Sequence, residues 1–139
     1  MGILRPRAAT ASPWYPSRVK ILVGVSGGIA AYKAALLVRE LMRRGHEVRV
    51  VMTEAATRFV GPITFTGLTG RSPVVDLWDP RYDGEVHVEL AVWADALVVA
   101  PATASLMARA VAGIAGDALT ATLLCFDGPV VIAPAMHTR

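Results

Sequence analysis

The stretch VKILVGVSGGIAAYKAALLVREL, Val19 to Leu41, constrains this chain more than any other. A run of apolar, β-branched residues breaks on Gly24-Val25-Ser26-Gly27-Gly28 and restarts with helical spacing. Val19 to Val25 predicts a buried strand, because a short continuous apolar run suits a strand covered on both faces. Ile29 to Arg44 predicts a helix, with Ala30, Ala34, Leu37 and Leu41 on one face and Ala31 and Val38 beside them. Lys33, Arg39, Glu40, Arg43 and Arg44 fall on the opposite arc, and Leu36 is the one misfit. Gly45 is placed to end the helix as its C′ residue, and His46 to Met52 reads as a second strand. Strand, helix and strand in so short a length make a βαβ unit, hence a parallel sheet with helices on both faces.

The alternation continues along the chain. EAATRFVG predicts a short helix, PITFTGLTG an irregular stretch, SPVVDLW a third strand, and DPRYDGE, Asp79 to Glu85, a polar loop. HVELAVWA predicts a short helix, DALVVAPA a strand, SLMARAVAGIAGDALTATLLCF helix with a glycine break, and PVVIAPA a last strand. The fold class is therefore α/β, a doubly wound parallel sheet. The 139 residues suit one domain: residues 1–18 are expected to form a flexible arm and 19–139 the folded body. The last strand of such a sheet needs a further helix over it. That cover is expected from a partner or from a C-terminal part of the domain lying beyond this chain.

Composition narrows the function classes. Apolar content of 54% against 18% charged excludes a disordered chain. The net charge of +3 comes from scattered arginines, not from a basic run interleaved with aromatics, so no nucleic-acid partner is expected. No segment approaches the roughly 18 to 20 uninterrupted apolar residues of a membrane span. The three prolines before Val19 argue against a secretory or transit segment. The single cysteine, Cys125, permits no disulfide framework or Cys-rich metal site within one chain, which points to the cytoplasm. Its apolar setting predicts a small buried hydrophobe. His46, just after Gly45, is expected to be a solvated turn residue.

In open α/β sheets ligands bind beyond the carboxyl ends of the strands. Ser26, Gly27 and Gly28 open there onto a helix N-terminus, where free N–H groups and the helix dipole favour an anion. The glycines allow close approach, and the Ser26 hydroxyl is expected to add a donor for a phosphate. A plain strand-to-helix turn is the alternative, but two adjacent glycines and a serine exceed what a turn requires. The spacing Gly24-x-x-Gly27-Gly28 is not the dinucleotide fingerprint, and Ile29-Ala30-Ala31 stands where a P-loop needs Lys and Ser/Thr. Glu54 comes too early for a ribose-binding acid. A mononucleotide fits best. Three further segments end strands on the same side: MTEA (Met52 to Ala55), APATAS (Ala100 to Ser105) and APAMH (Ala133 to His137).

VGVSGGIAAYKA, VVMTEAATRFV, HVELAVWAD, VVAPATAS, GIAGDALTATLL and VVIAPAM, in that order, resemble the flavin-dependent cysteine decarboxylase family, nearest to its phosphopantothenoylcysteine decarboxylase branch. The resemblance implies a flavodoxin-like, Rossmann-like fold, non-covalent FMN, and homo-oligomers built as trimers or multiples of trimers. By position it assigns FMN contacts to Gly27, Gly28, Ile29 and Ala30, to Thr53, Glu54 and Ala55, to Thr103, Ala104, Ser105 and Leu106, and to Ala135. The family's catalytic histidine falls on His87, at the start of a short helix whose dipole disfavours the imidazolium. The implied chemistry is that of an FMN-dependent carboxy-lyase of coenzyme A biosynthesis. A cysteinyl substrate such as 4′-phosphopantothenoylcysteine is oxidised to a thioaldehyde, which loses its carboxylate as carbon dioxide. His137 replaces the family asparagine that holds the substrate carboxylate, and Ser105 replaces an asparagine near the flavin. Cys125 does not align with the family's lid cysteine, which lies beyond Arg139. Two alternatives stand beside this reading. A flavin prenyltransferase shares the fold and first turn but lacks the HVEL-x-x-WAD and PAM contexts. A catalytically impaired flavin-binding or subunit-interaction protein would need only the FMN half.

Overall fold

The computed structural model describes residues 18–137. Of the expected N-terminal arm, residues 1–17 lie outside the described residues. Four strands, β1 (Lys20–Val25), β2 (Glu47–Met52), β3 (Ala96–Ala102) and β4 (Val130–Pro134), pair in parallel in the order β2-β1-β3-β4. The helices are α1 (Ala31–Arg43), α2 (Pro62–Thr69), α3 (Val86–Trp93), α4 (Ala104–Val111) and α5 (Ala118–Cys125). This is the doubly wound α/β architecture expected of the sequence.

The strands' period of two divides the core in two. Ile21, Val23 and Val25 of β1 and Val48, Val50 and Met52 of β2 face one side, against Ala31, Ala34 and Val38 of α1 and Phe65 of α2. Leu22, Val51, Leu97 and Val99 face the other, against Leu90 of α3, Leu106 of α4 and Leu119 of α5. Burying each such aliphatic side chain stabilises the fold by roughly 1.5–3 kcal/mol, so both layers are anchored. The helix boundaries follow from local chemistry. Gly45 takes φ 90° and its N–H donates to the Met42 carbonyl at 3.0 Å, ending α1 as a C′ glycine. Leu36, the misfit of the helical pattern, is exposed.

Several segments differ from the sequence expectation. PITFTGLTG is a helix, α2: Pro62 stands at its start, where its missing N–H costs nothing, and Gly70 at φ 71° closes it through Thr66 O. Phe65 alone is buried on it, so the helix carries no apolar stripe to read. SPVVDLW forms no strand; it contributes the bridge Val51–Val74, after which Asp76 Oδ1 accepts from Trp78 N at 3.0 Å and turns the chain. EAATRFVG contributes a 3₁₀ turn, Glu54–Arg58. Cys125 is exposed, not buried, because α5 turns its C-terminal end out of the core. His46 is half-buried, not solvated, and its Nδ1 finds no partner among the described residues. Every residue of β4 is exposed. Among the described residues, no helix is long and apolar enough to cross a membrane, and no three His, Cys, Asp or Glu side chains gather as a metal site.

Candidate functional site

From β1 the chain moves outward to β2 and then returns across to β3, so the strand order reverses between β1 and β3. The crevice at their carboxyl ends is where such sheets bind ligands. Ser26, 1% exposed, holds it shut at the base. Its Oγ donates to the Pro101 carbonyl at 2.6 Å and accepts from Thr103 N at 3.0 Å, while its own N–H also reaches Pro101 O at 3.2 Å. The hydroxyl's proton is thus committed. Ser26 does not supply the ligand donor expected of it; it clamps β1 to β3.

Above that clamp lies a cleft of about 480 Å³. Gly27, Gly28, Ile29 and Ala30 form one wall, Pro101 and Thr103 the next, and Ala135, Met136 and His137 the third. The two glycines do different work. A Cβ on Gly27 would stand 2.6 Å from Ala55 Cβ and 2.7 Å from the Ala55 carbonyl carbon, so only glycine lets the chain after β2 lie against this turn. A Cβ on Gly28 would meet only Thr103 Cγ2, at 3.6 Å. The turn's own bonds begin at Ala31 N to Gly28 O (2.9 Å) and Lys33 N to Ala30 O (3.0 Å). Among the described residues, the N–H groups of Gly28, Ile29 and Ala30 have no acceptor. Ala30, the N-cap, has no polar side chain to offer, and the first turn of α1 carries no acidic residue. A helix N-terminus with its donors free and no carboxylate beside it suits an anion.

The other assigned positions are distributed around this cleft. Thr53 N donates to Val25 O at 3.0 Å and Thr53 Oγ1 accepts from Ala56 N at 3.2 Å, tying the end of β2 to β1. Ala55 stands behind Gly27, whereas Glu54 opens onto a separate cleft with Asp76, Trp78 and Asp117. Thr103 caps α4, its Oγ1 accepting from Leu106 N at 3.3 Å. Ala104 and Ser105 are exposed on the first turn of α4, and the Leu106 side chain is buried in the core. Ala135 N bonds Ala102 O at 3.0 Å and so sets the Ala135–His137 segment over the cleft. Pro101 and Met136 line it too, unassigned from the sequence. The repeated Ala-Pro-Ala marked their neighbourhood without giving their part.

His87 occupies another place. It is the second residue of α3, with 23% of its side chain exposed. It lines a pocket of about 220 Å³ with Leu77, Trp78, Pro80 and Tyr82. That pocket and the glycine cleft share no lining residue. His87 Nε2 lies 3.6 Å from Glu85 Oε2, beyond a hydrogen bond, and Nδ1 is buried without a partner among the described residues. Cys125 Sγ sits 3.6 Å from the His87 carbonyl oxygen. Although the residue is exposed, partial desolvation of its sulfur pushes this thiol up and the Glu85 carboxylate adds to it, which favours the protonated form.

The chain matches the family described as Flavoprotein over residues 12–139. It is 54% identical over 123 residues to the coenzyme A biosynthesis bifunctional protein CoaBC of Mycolicibacterium smegmatis, an alignment covering 88% of this chain and 30% of that protein. The chain thus spans about 30% of the length of the curated relatives it matches. Among solved structures, it superposes on the FMN-dependent cysteine decarboxylase SpaF with a TM-score of 0.82 at 41% identity, covering 88% of this chain and 71% of that one. It also superposes on a PPC decarboxylase mutant complexed with pantothenoylaminoethenethiol, with a TM-score of 0.76 at 29% identity over 87% and 69% of the two chains.

Proposed function

This chain belongs to the flavoprotein family, and on that premise we propose that it is the FMN-binding portion of a decarboxylase of the phosphopantothenoylcysteine type. The observation that carries the proposal is the glycine cleft. Its residues fit FMN: three backbone donors at a helix start with no acceptor among the described residues, no carboxylate in the lining, and room for close approach where Gly28 lacks a side chain. Gly28, Ile29 and Ala30 would hold the phosphate, and Thr103, Ala135 and Met136 the rest of the cofactor. When bound, FMN supplies a two-electron acceptor for the cysteinyl group of the substrate.

The chain's own residues do the remaining work. His87 serves as acid or base toward the reacting cysteinyl group, and because its Nδ1 is buried the proton passes at Nε2. His137, exposed at the rim of the cleft, offers a ring N–H to the substrate carboxylate. Since His87 and the cleft share no lining residue, the proposal includes a second copy of the chain that brings its His87 to this cleft, in a homotrimer or a multiple of one. The exposed stripe Ile29, Tyr32 and Leu36 on and beside α1 supports such an interface, and Ile29 lines the cleft itself. The substrate proposed is 4′-phosphopantothenoylcysteine. The unpaired, exposed thiol of Cys125 supports the cytoplasm as its site of action.

Titration of the flavin-free protein with FMN tests the first step. Saturable uptake is expected, with riboflavin, which lacks the phosphate, binding far more weakly. No uptake, or equal affinity for both, overturns the assignment of the cleft. Carbon dioxide release from 4′-phosphopantothenoylcysteine by the FMN-loaded protein tests the second step. Flavin uptake without release would assign the chain a flavin-binding or subunit-interaction role instead.

A further inference from the structure

Beside the His87 pocket lies a cleft of about 420 Å³ lined by Arg49, Arg71, Ser72, Arg81, Tyr82 and Glu89. The flavin chemistry uses none of these residues. Arg49 comes from β2, Arg71 and Ser72 follow the end of α2, Arg81 and Tyr82 belong to the loop before α3, and Glu89 is on α3. Residues so distant in the chain converge only in the fold.

The three arginines are not equivalent. Arg81 is committed: it pairs with Asp79 and donates to the carbonyls of Ser72 at 3.3 Å and Pro73 at 3.0 Å, holding the loop against the chain after α2. Arg49 lies over Trp93, its guanidinium carbon 4.3 Å from the ring centroid, and its buried Nε–H has no acceptor among the described residues. Stacking leaves the edge of a guanidinium as its hydrogen-bonding side. Arg71 is exposed and has no carboxylate partner among the described residues; Thr69 Oγ1 accepts from its backbone N–H at 3.1 Å and fixes where it starts. Two guanidinium groups are therefore uncommitted, against one lining carboxylate, Glu89.

That donor set selects among anions. A carboxylate is satisfied by one planar fork, whereas a phosphoryl group presents three terminal oxygens and up to two charges, suited to two forks and a hydroxyl such as that of Ser72. Tyr82 lines both this cleft and the His87 pocket, so the two are neighbours on either side of one side chain, close enough for the two ends of an elongated ligand. We propose that the cleft between Arg49 and Arg71 is a phosphoryl subsite, and that it takes the phosphate end of the substrate whose cysteinyl end lies at His87. The second half of that statement rests on the function proposed above.

Inorganic phosphate titrated into the protein with FMN already added, so that the glycine cleft is not available to it, tests the subsite by NMR. Saturable shifts at the Arg71, Ser72 and Tyr82 amides are expected. Arg71→Ala should weaken the response about tenfold, the worth of one charged hydrogen-bonded pair, and Arg71→Glu should abolish it. Absence of these shifts overturns the proposal whatever the protein turns over. The kinetic arm compares pantothenoylcysteine with and without its phosphate: the preference for the phosphorylated form should fall about tenfold in Arg71→Ala. Phosphate binding at Arg71 with that preference unchanged overturns the substrate half and leaves free phosphate as the ligand. Phosphate binding in a protein that decarboxylates nothing refutes the activity and still supports the subsite.

Discussion

At the glycine cleft the working groups are backbone amides, set in place when β1 pairs with β3 and Ser26 joins them. At the His87 pocket they are side chains on a short helix and the loop before it, and the imidazole has no hydrogen-bonded partner to orient it among the described residues. Among the described residues the first region has its groups held by backbone bonds, whereas the second leaves its imidazole unheld. A preorganised backbone site binds at little reorganisation cost, whereas an unanchored side chain needs its partner or substrate to fix it. Binding and chemistry should therefore respond to different mutations.

The sharpest break between the two regions is His87→Asn. Losing the acid or base proposed above should cut carbon dioxide release by about 10²–10⁴-fold. FMN affinity and the unfolding midpoint should not move, since no described protein group depends on the ring for a hydrogen bond. A parallel loss of flavin binding would show that His87 supports the glycine cleft and that the two regions are one.

On the other side, Ser26→Ala should leave turnover per bound flavin intact while lowering stability. It strands the Thr103 N–H, while the Pro101 carbonyl keeps the bond from the backbone N–H of residue 26, a cost of about 2 kcal/mol in denaturant unfolding. An effect under about 0.5 kcal/mol, the range of an ordinary surface change, would mean that the clamp is not what holds the crevice. The glycine pair refines this further. Gly27→Ala pushes a methyl into the Ala55 backbone and should cost about 1–3 kcal/mol. Gly28→Ala meets only Thr103 Cγ2 and should fold normally with weaker FMN binding. Equal destabilisation by both would erase the distinction drawn between them.

The same contrast governs how far the sequence could be read. β1, α1, β2 and the glycine turn are contiguous, and apolar period, Gly45 and Gly27-Gly28 all speak locally, so their places were legible. α2 was not, because Pro62, Thr64, Thr66 and Gly67 read as loop residues and one buried phenylalanine anchors the helix. The β-branched pair Val74-Val75 reads as strand in the segment after it, yet of SPVVDLW only Val74 reaches the edge of β2 before Asp76 turns the chain. Cys125 misled through Leu123 and Phe126, which pack against the core while it does not. At the site, the Ser26 clamp was misread because its acceptor, Pro101, is 75 residues away. The Arg49–Arg71 cleft had no local signal at all, since its arginines look like the scattered surface charges around them.

The smallest expected effect tests whether α5 couples the two regions. Leu119 of α5 fills the space beside Gly24 of β1, and Cys125 at its other end touches the His87 carbonyl. Asp117 starts this helix: its Oδ1 accepts from Thr120 N at 2.8 Å, Thr120 Oγ1 accepts from Asp117 N at 3.2 Å, and Oδ2 pairs with Arg109. Burial pushes the Asp117 carboxyl up, but the Arg109 guanidinium and the Thr120 donors outweigh it and hold it below its ordinary value of 3.8. A depressed carboxyl contributes stability that is complete above the unfolded-state value and lost as pH falls through the folded one. The loss should therefore appear below about pH 4 and not between pH 5 and 8. Asp117→Ala should cost about 1 kcal/mol at neutral pH, the worth of an N-cap. Asp117→Asn keeps the cap acceptor and should cost less, while flattening the acid limb of the stability curve. If acid loosens α5, protection of the α3 amides around His87 should fall before flavin is released, because the glycine cleft has no carboxylate in its lining to titrate. Simultaneous loss would show that α5 holds both regions to the sheet as one unit.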